Sequence, residues 1–134
     1  MIEQKSLRVY QLSVFVIAVE WIFFGSMHFT DIPGTIRQVP DFIPDSWTTF
    51  VAVATGMIEV TIGILILMRK TRRAAAWATL ALLTLYLLSI YKMLANPGVP
   101  YFGRSTDFMR LLLVPNHIFM ALCAIYLIKW PDRP

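Results

Sequence analysis

Residues 74–91 read AAAWATLALLTLYLLSIY, a run of 18 residues that contains no Asp, Glu, Lys, Arg or His. A helix of about 20 apolar residues crosses the ~30 Å hydrocarbon core of a bilayer. A helix in a soluble four-helix bundle would instead carry charged side chains every three or four residues along one face. The run therefore predicts a membrane-spanning helix and argues against a soluble bundle.

Three further stretches have a similar length and almost no charge. They lie at residues 9–29, 47–68 and 111–128. The four stretches predict helices over about 8–29, 46–68, 73–95 and 108–129, within one transmembrane domain that covers residues 1–134. We therefore expect an all-α, polytopic membrane protein, and four spans leave little chain for a soluble domain.

The composition excludes several other classes of protein. Apolar residues make up 57% of the chain and charged residues 15%, against about 25% charged residues in a typical soluble domain. A disordered chain would need low hydrophobicity and high net charge. Cys123 is the only cysteine, which rules out a disulfide framework, a CxxC redox motif and a cysteine-based zinc site.

The distribution of basic residues predicts the orientation. Eight of the twelve Lys and Arg residues lie in the N-terminal tail, the C-terminal tail and the loop after the second helix. That loop carries Arg69, Lys70, Arg72 and Arg73. By the positive-inside rule, we expect an antiparallel bundle of four helices with both termini in the cytoplasm, in the inner membrane of a bacterium. The net charge of +4 then serves topology and lipid headgroups, so we expect no nucleic-acid partner.

The two predicted outer loops are rich in proline. The first, over residues 30–46, contains Pro33, Pro40 and Pro44, and the second covers residues 96–106. Proline fixes φ and lacks a backbone donor, so these segments should form turns or short pieces and not helix. Their apolar residues suggest that the loops fold back onto the bundle.

A few ionisable residues lie within or at the ends of the predicted spans, in the middle or outer half of the membrane. They are Glu20, His28, Glu59, Lys92, Arg110 and His117. Such groups are costly in a membrane and usually face the bundle interior in pairs. They are our candidates for ligand binding or proton exchange, in a pocket open to the outer side. Structural pairing, such as Glu20 with Arg110 or Lys92, is the alternative.

The surroundings of Glu59 fit both interpretations. Gly56 and Gly63 share its helix face at spacings of three and four residues, and glycines let membrane helices approach closely. Glu59 is therefore either a carboxylate with hydrogen-bond partners inside a tight helix contact, or a carboxylate presented to a ligand or a proton. Pro115 should kink the fourth helix beside His117. No HxxxH or ExxH spacing is present, so we expect no metal site.

Five short motifs carry a family resemblance. They are GSMHF at 25–29, VPDFIP at 39–44, TGMIE at 55–59, GIL at 63–65 and TRRAAAW at 71–77. In this order and at these spacings, they resemble the DoxX-like family of small four-helix membrane proteins, over about residues 14–95. The fourth helix departs from the family pattern, because Arg110 and Pro115 are followed by Asn116 where that family often has Gln.

The resemblance implies a link to quinones, because DoxX-like proteins resemble small membrane subunits of thiosulfate:quinone oxidoreductase. On family grounds the residues to watch are His28, Pro40, Pro44, Gly56, Glu59 and Arg72. A quinone, the one cofactor implied, would enter from the lipid. Its carbonyls would accept hydrogen bonds from His28, His117 or Arg110, while Glu59 or Glu20 exchanged protons.

Three functional classes remain. The first is an accessory or binding subunit linked to quinone metabolism; if it takes part in catalysis, it is an oxidoreductase subunit without a redox centre of its own. The second is a non-enzymatic assembly factor or structural subunit of a larger membrane complex. The third is a proton-coupled transporter, for which four helices would have to dimerise. The expected partners are the lipid bilayer and either another membrane protein or a second copy of the chain.

Overall fold

The computed structural model describes the backbone of residues 2–95 and 106–130, and the side chains of residues 6–92, 94–95 and 111–130. Within these residues all regular secondary structure is helical, which confirms the all-α prediction. The helices are α1 (Ile2–Thr30), α2 (Ile32–Ile36), α3 (Asp45–Leu67), α4 (Arg72–Ala95) and α5 (Thr106–Lys129).

Four of the helices are long and apolar enough to cross a membrane, as predicted. Their candidate spans are Ser6–Thr30, Asp45–Leu67, Arg72–Lys92 and Leu111–Lys129. Large apolar side chains point away from the bundle, among them Phe15, Leu87 and Leu111, which are 63%, 58% and 75% exposed. Water would disfavour so much exposed apolar surface, whereas lipid accommodates it.

The helix α2 corrects the expectation that the first outer loop contains no helix. Asp31 caps its N-terminus, because Oδ1 accepts a hydrogen bond of 3.0 Å from the backbone N–H of Gly34. Pro33 lies in the first turn, where the missing N–H has no intrahelical partner to lose and the fixed φ suits a helix. A proline in the first turn thus starts this short helix instead of preventing it.

Glycines bring α1 and α3 into close contact. A Cβ atom added to Gly56 would lie 2.5 Å from Cβ of His28, and one added to Gly25 would lie 2.9 Å from the carbonyl oxygen of Gly56. A Cβ atom on Gly63 would lie 2.7 Å from Cγ1 of Ile22. Only glycine allows the two backbones to approach this closely. Gly56 and Gly63 therefore lie in the helix contact, and Gly25 supplies its counterpart on α1.

Arg72 has a different environment from the other basic residues of its loop. Its guanidinium is buried and donates hydrogen bonds to the carbonyl oxygens of Ile66 (2.8 Å) and Leu67 (2.9 Å) and to the hydroxyl of Tyr10 (3.0 Å). The last carbonyls of a helix lack intrahelical partners, and a basic side chain can satisfy them. Arg72 therefore caps α3, whereas Arg69, Lys70 and Arg73 are exposed.

Candidate functional site

A cavity of about 330 Å³ lies between the four long helices and is covered by the segment that follows α2. Its walls come from residues 21–28 of α1, 51–59 of α3, 82–90 of α4 and 113–120 of α5, with residues 38–43 above them. The stretches from α1 and α4 lie mainly in the second halves of these helices, and those from α3 and α5 lie around the middle of theirs. The cavity therefore extends from the middle of the bundle toward the end at which α1 ends and α3 begins.

Glu59 is the most deeply buried ionisable group in the cavity wall, with 1% of its surface exposed. Its Oε1 atom accepts a hydrogen bond from the hydroxyl of Tyr86. Its Oε2 atom lies 3.5 Å from Nε2 of His28, which is beyond an ordinary hydrogen-bond distance. Among the described residues Oε2 has no hydrogen-bond partner. Buried polar atoms are rarely left unpaired, so this oxygen is available to a ligand.

The His28 side chain, on α1, contacts two residues of α3, Ala52 and Glu59. Its Nδ1 atom lies 2.7 Å from the carbonyl oxygen of Ala52. A carbonyl only accepts hydrogen bonds, so Nδ1 carries the proton and donates it. The second ring nitrogen, Nε2, faces Glu59. The two side chains therefore face each other, either as an imidazolium and a carboxylate or as a neutral imidazole and a carboxylic acid.

His117 is held in a similar way on the other side of Tyr86. Its Nδ1 atom lies 2.8 Å from the carbonyl oxygen of Leu113 and must donate to it. Its Nε2 atom is buried, and no described residue bonds to it. The rings of His117 and Tyr86 are 6.2 Å apart between centroids. Tyr86 therefore contacts His117 with its ring and Glu59 with its hydroxyl.

Glu20 lies beside the cavity wall and is half-buried. Its Oε2 atom accepts a hydrogen bond of 3.1 Å from the side-chain amide of Asn116, which lines the cavity. The partner of this carboxylate is thus an amide. Pairing of Glu20 with Arg110 stays a prediction, because the side chain of Arg110 lies outside the described residues.

Lys92 holds the covering segment in place and makes no ion pair with Glu20. Its Nζ atom lies 2.7 Å from Oδ1 of Asp41 and donates a hydrogen bond of 2.6 Å to the carbonyl oxygen of Val39. Val39 is buried under this contact, whereas the Asp41 side chain is 81% exposed. The backbone contact therefore contributes more to the position of the segment than the solvated ion pair does.

The structure brings three of the six candidate residues, His28, Glu59 and His117, to the wall of one cavity. Glu20 reaches the cavity through Asn116, and Lys92 lies at the covering segment. Sequence reasoning missed Tyr86. A phenol in the middle of a charge-free span was the available signal, because a buried tyrosine hydroxyl usually has a hydrogen-bond partner.

Trp21 and Asn116 are further cavity residues that the candidate list lacked. The indole Nε1 of Trp21 donates a hydrogen bond of 3.0 Å to Oγ1 of Thr79, so the N–H of this buried indole has an acceptor.

In the described part of the chain, no cluster of three or more His, Cys, Asp or Glu residues could hold a metal ion.

These features define a small four-helix protein of membrane-spanning dimensions, with a mostly apolar cavity around a carboxylate, two imidazoles and a phenol. The chain belongs to the family described as Domain of unknown function (DUF8561), whose model matches residues 17–127. That match includes every residue that lines the cavity. Searches of curated proteins and of solved structures found no match.

Proposed function

We propose that this protein binds a quinone-type ligand in the cavity and acts as an accessory or binding subunit of a quinone-linked redox system in the membrane. One observation carries the proposal: the cavity is mostly apolar, and two of the polar groups in its wall, the hydroxyl of Tyr86 and the imidazole of His28, lie beside Glu59. Small-molecule sites have volumes of about 300–1,000 Å³ and the same combination of apolar walls and few polar groups. A quinone ring is flat and apolar, with two polar atoms at opposite edges.

The position of the cavity suits a ligand that is dissolved in the bilayer. Leu85 and Leu88 line the cavity and are 62% and 48% exposed. The cavity therefore reaches the surface of the bundle at apolar residues of α4. A ligand that enters between helices at this point would not need to cross water.

The DoxX-like resemblance supports the same proposal. His28 and Glu59, from two of its motifs, face each other in the cavity wall. Pro40, from a third motif, lies in the covering segment, and Gly56 lies in the α1–α3 contact. Cys123 is the only cysteine of the chain, so the chain cannot form an internal disulfide that would carry electrons. We therefore favour an accessory role beside a redox partner.

We also propose that the helices form an antiparallel bundle with both termini in the cytoplasm of a bacterial cell. Tyr10, early in α1, contacts Arg72 just after α3, whereas His28, late in α1, contacts Ala52 early in α3. These contacts support opposite directions for α1 and α3. The exposed basic residues after α3 favour the cytoplasm for that end. The cavity would then lie in the outer half of the membrane.

The proposal is tested by purifying the protein in a mild detergent and analysing the extracted quinones by mass spectrometry. We expect about one quinone per chain in the wild-type protein. Glu59→Gln, which keeps the shape of the side chain, and His28→Ala should both lose it. Leu122→Ala, at a position on α5 that is 60% exposed, is the control and should retain it. A stable protein partner with no bound small molecule would instead favour an assembly factor or structural subunit.

A further inference from the structure

The hydrogen-bond donors of the cavity wall are mostly committed to acceptors within the protein. The hydroxyl of Thr35 donates to the carbonyl oxygen of Asp31 at 2.9 Å, and that of Thr55 to Val51 at 2.6 Å. The hydroxyl of Tyr86 and the indole of Trp21 have protein acceptors, as do Nδ1 of both histidines. Of the hydroxyl groups that line the cavity, that of Ser89 makes no hydrogen bond to the described residues, and a hydroxyl can accept as well as donate.

Among the described residues, two buried side-chain atoms lack a hydrogen-bond partner, and both can accept a hydrogen bond. They are Oε2 of Glu59 and Nε2 of His117. Because Nδ1 of His117 carries a proton, a neutral ring presents a lone pair at Nε2. Oε2 of Glu59 is an acceptor when the carboxyl group is ionised. A ligand that donates hydrogen bonds would then satisfy both atoms, whereas a ligand that only accepts would leave Nε2 of His117 unpaired in either state of Glu59.

Tyr86 places these two acceptors around the same part of the cavity. Its hydroxyl bonds to the carboxylate of Glu59, and its ring lies against the ring of His117 with 6.2 Å between centroids. A flat ligand that reaches both Glu59 and His117 would therefore pass beside Tyr86. Such a ligand can direct one hydroxyl to each acceptor if its two hydroxyls are at opposite edges of the ring.

We infer that the cavity selects the reduced, hydroxyl-bearing form of its ligand, a hydroquinone, over the quinone, and this inference rests on the proposed function. One ring hydroxyl donates to Nε2 of His117 and the other to Oε2 of Glu59. A quinone carbonyl beside Nε2 of His117 would face a lone pair instead of a donor. Sites with buried hydrogen-bonding groups discriminate strongly against analogues that leave those groups unpaired.

The test compares two derivatives of one ring system in the purified full-length protein. The probes are 1,4-dihydroxynaphthalene, kept reduced under anaerobic conditions, and 1,4-dimethoxynaphthalene, whose oxygens only accept hydrogen bonds. Their Kd values are measured by isothermal titration calorimetry. We expect the dihydroxy compound to bind about tenfold more tightly, as one buried hydrogen bond to Nε2 of His117 would produce. Oxidised 1,4-naphthoquinone should resemble the dimethoxy compound.

Variants at His117 connect this preference to the proposed acceptor. His117→Phe keeps a ring but removes Nε2, so the ratio of the two Kd values should fall several-fold, because only the dihydroxy compound loses a hydrogen bond. His117→Gln supplies an amide oxygen as a new acceptor and should retain part of the preference. Tyr91→Phe removes a hydroxyl from a side chain that is 73% exposed and should change neither Kd.

The outcomes separate this inference from the proposed function. If the dimethoxy compound or the quinone binds as tightly as the dihydroxy compound, selection of the reduced form is wrong but binding in the cavity stands. The same conclusion follows if His117→Phe leaves the preference intact. If none of the three compounds binds to the folded wild-type protein, the proposed function fails, and the inference fails with it.

Discussion

Replacing Arg72 with lysine tests how the end of α3 is stabilised without changing the charge of the basic loop. The guanidinium of Arg72 makes three hydrogen bonds, at 2.8, 2.9 and 3.0 Å, and is buried. Lysine has all its donors on one nitrogen and lacks the planar fork of arginine, so it can replace at most one of these bonds. A hydrogen bond from a charged group contributes about 1.5–3 kcal/mol. Losing two of them should lower the free energy of unfolding by about 3 kcal/mol.

The effect can be measured by titrating the detergent-solubilised protein with sodium dodecyl sulfate and following tryptophan fluorescence. Arg73→Lys is the matched control, because Arg73 is the exposed neighbour, and an exposed substitution should change the free energy by less than about 0.5 kcal/mol. Tyr10→Phe removes one acceptor and should cost about 1 kcal/mol. If Arg72→Lys were as stable as Arg73→Lys, the capping of α3 by Arg72 would be refuted.

Three further substitutions test other contacts. Gly56→Ala should lower the free energy of unfolding by about 1–3 kcal/mol in the same titration, because its methyl group overpacks the contact with α1. An unchanged free energy would show that α1 and α3 can move apart to accommodate the methyl group at no cost. Lys92→Met should accelerate amide hydrogen exchange over residues 37–44, and equal exchange rates would show that Lys92 does not hold this segment. Asn116→Leu should cost about 1–3 kcal/mol, because Glu20 loses its partner; wild-type stability would show that another group satisfies this carboxylate.

The sequence allowed the four long helices to be predicted because each one is an almost uncharged run of membrane-spanning length. The glycine pattern around Glu59 likewise pointed to a close helix contact, since a missing side chain is a local property. The helix α2 was not predicted. The prolines around it were interpreted as helix breakers, although the position of Pro33 in the first turn and the cap from Asp31 permit a helix.

The partners of the polar side chains could not be predicted from spacing. Tyr86 bonds to a residue 27 positions away, and Asn116 to one 96 positions away. Such pairs depend on how the helices are rotated against one another, which a uniformly apolar sequence leaves undetermined. Arg72 shows the same limitation: its charge fitted a cytoplasmic loop, but its acceptors at the end of α3 became apparent only from the fold.

The central claim is that a quinone-type ligand binds in the cavity beside Glu59, and a matched pair of threonine substitutions tests it most directly. Thr55 lines the cavity and is half-buried, whereas Thr61 lies two turns further along α3 and is exposed on its outer surface. In Thr55→Phe the new ring would fill the cavity, and in Thr61→Phe it would point into the lipid.

The measurement is the Kd of short-chain ubiquinol for the purified protein in lipid nanodiscs, determined by isothermal titration calorimetry under anaerobic conditions. We predict saturable binding of one ubiquinol per chain by the wild-type protein and by Thr61→Phe, and binding at least about tenfold weaker by Thr55→Phe, equivalent to about 1.4 kcal/mol. An unchanged Kd in Thr55→Phe, or no saturable binding by the wild-type protein, would contradict the account.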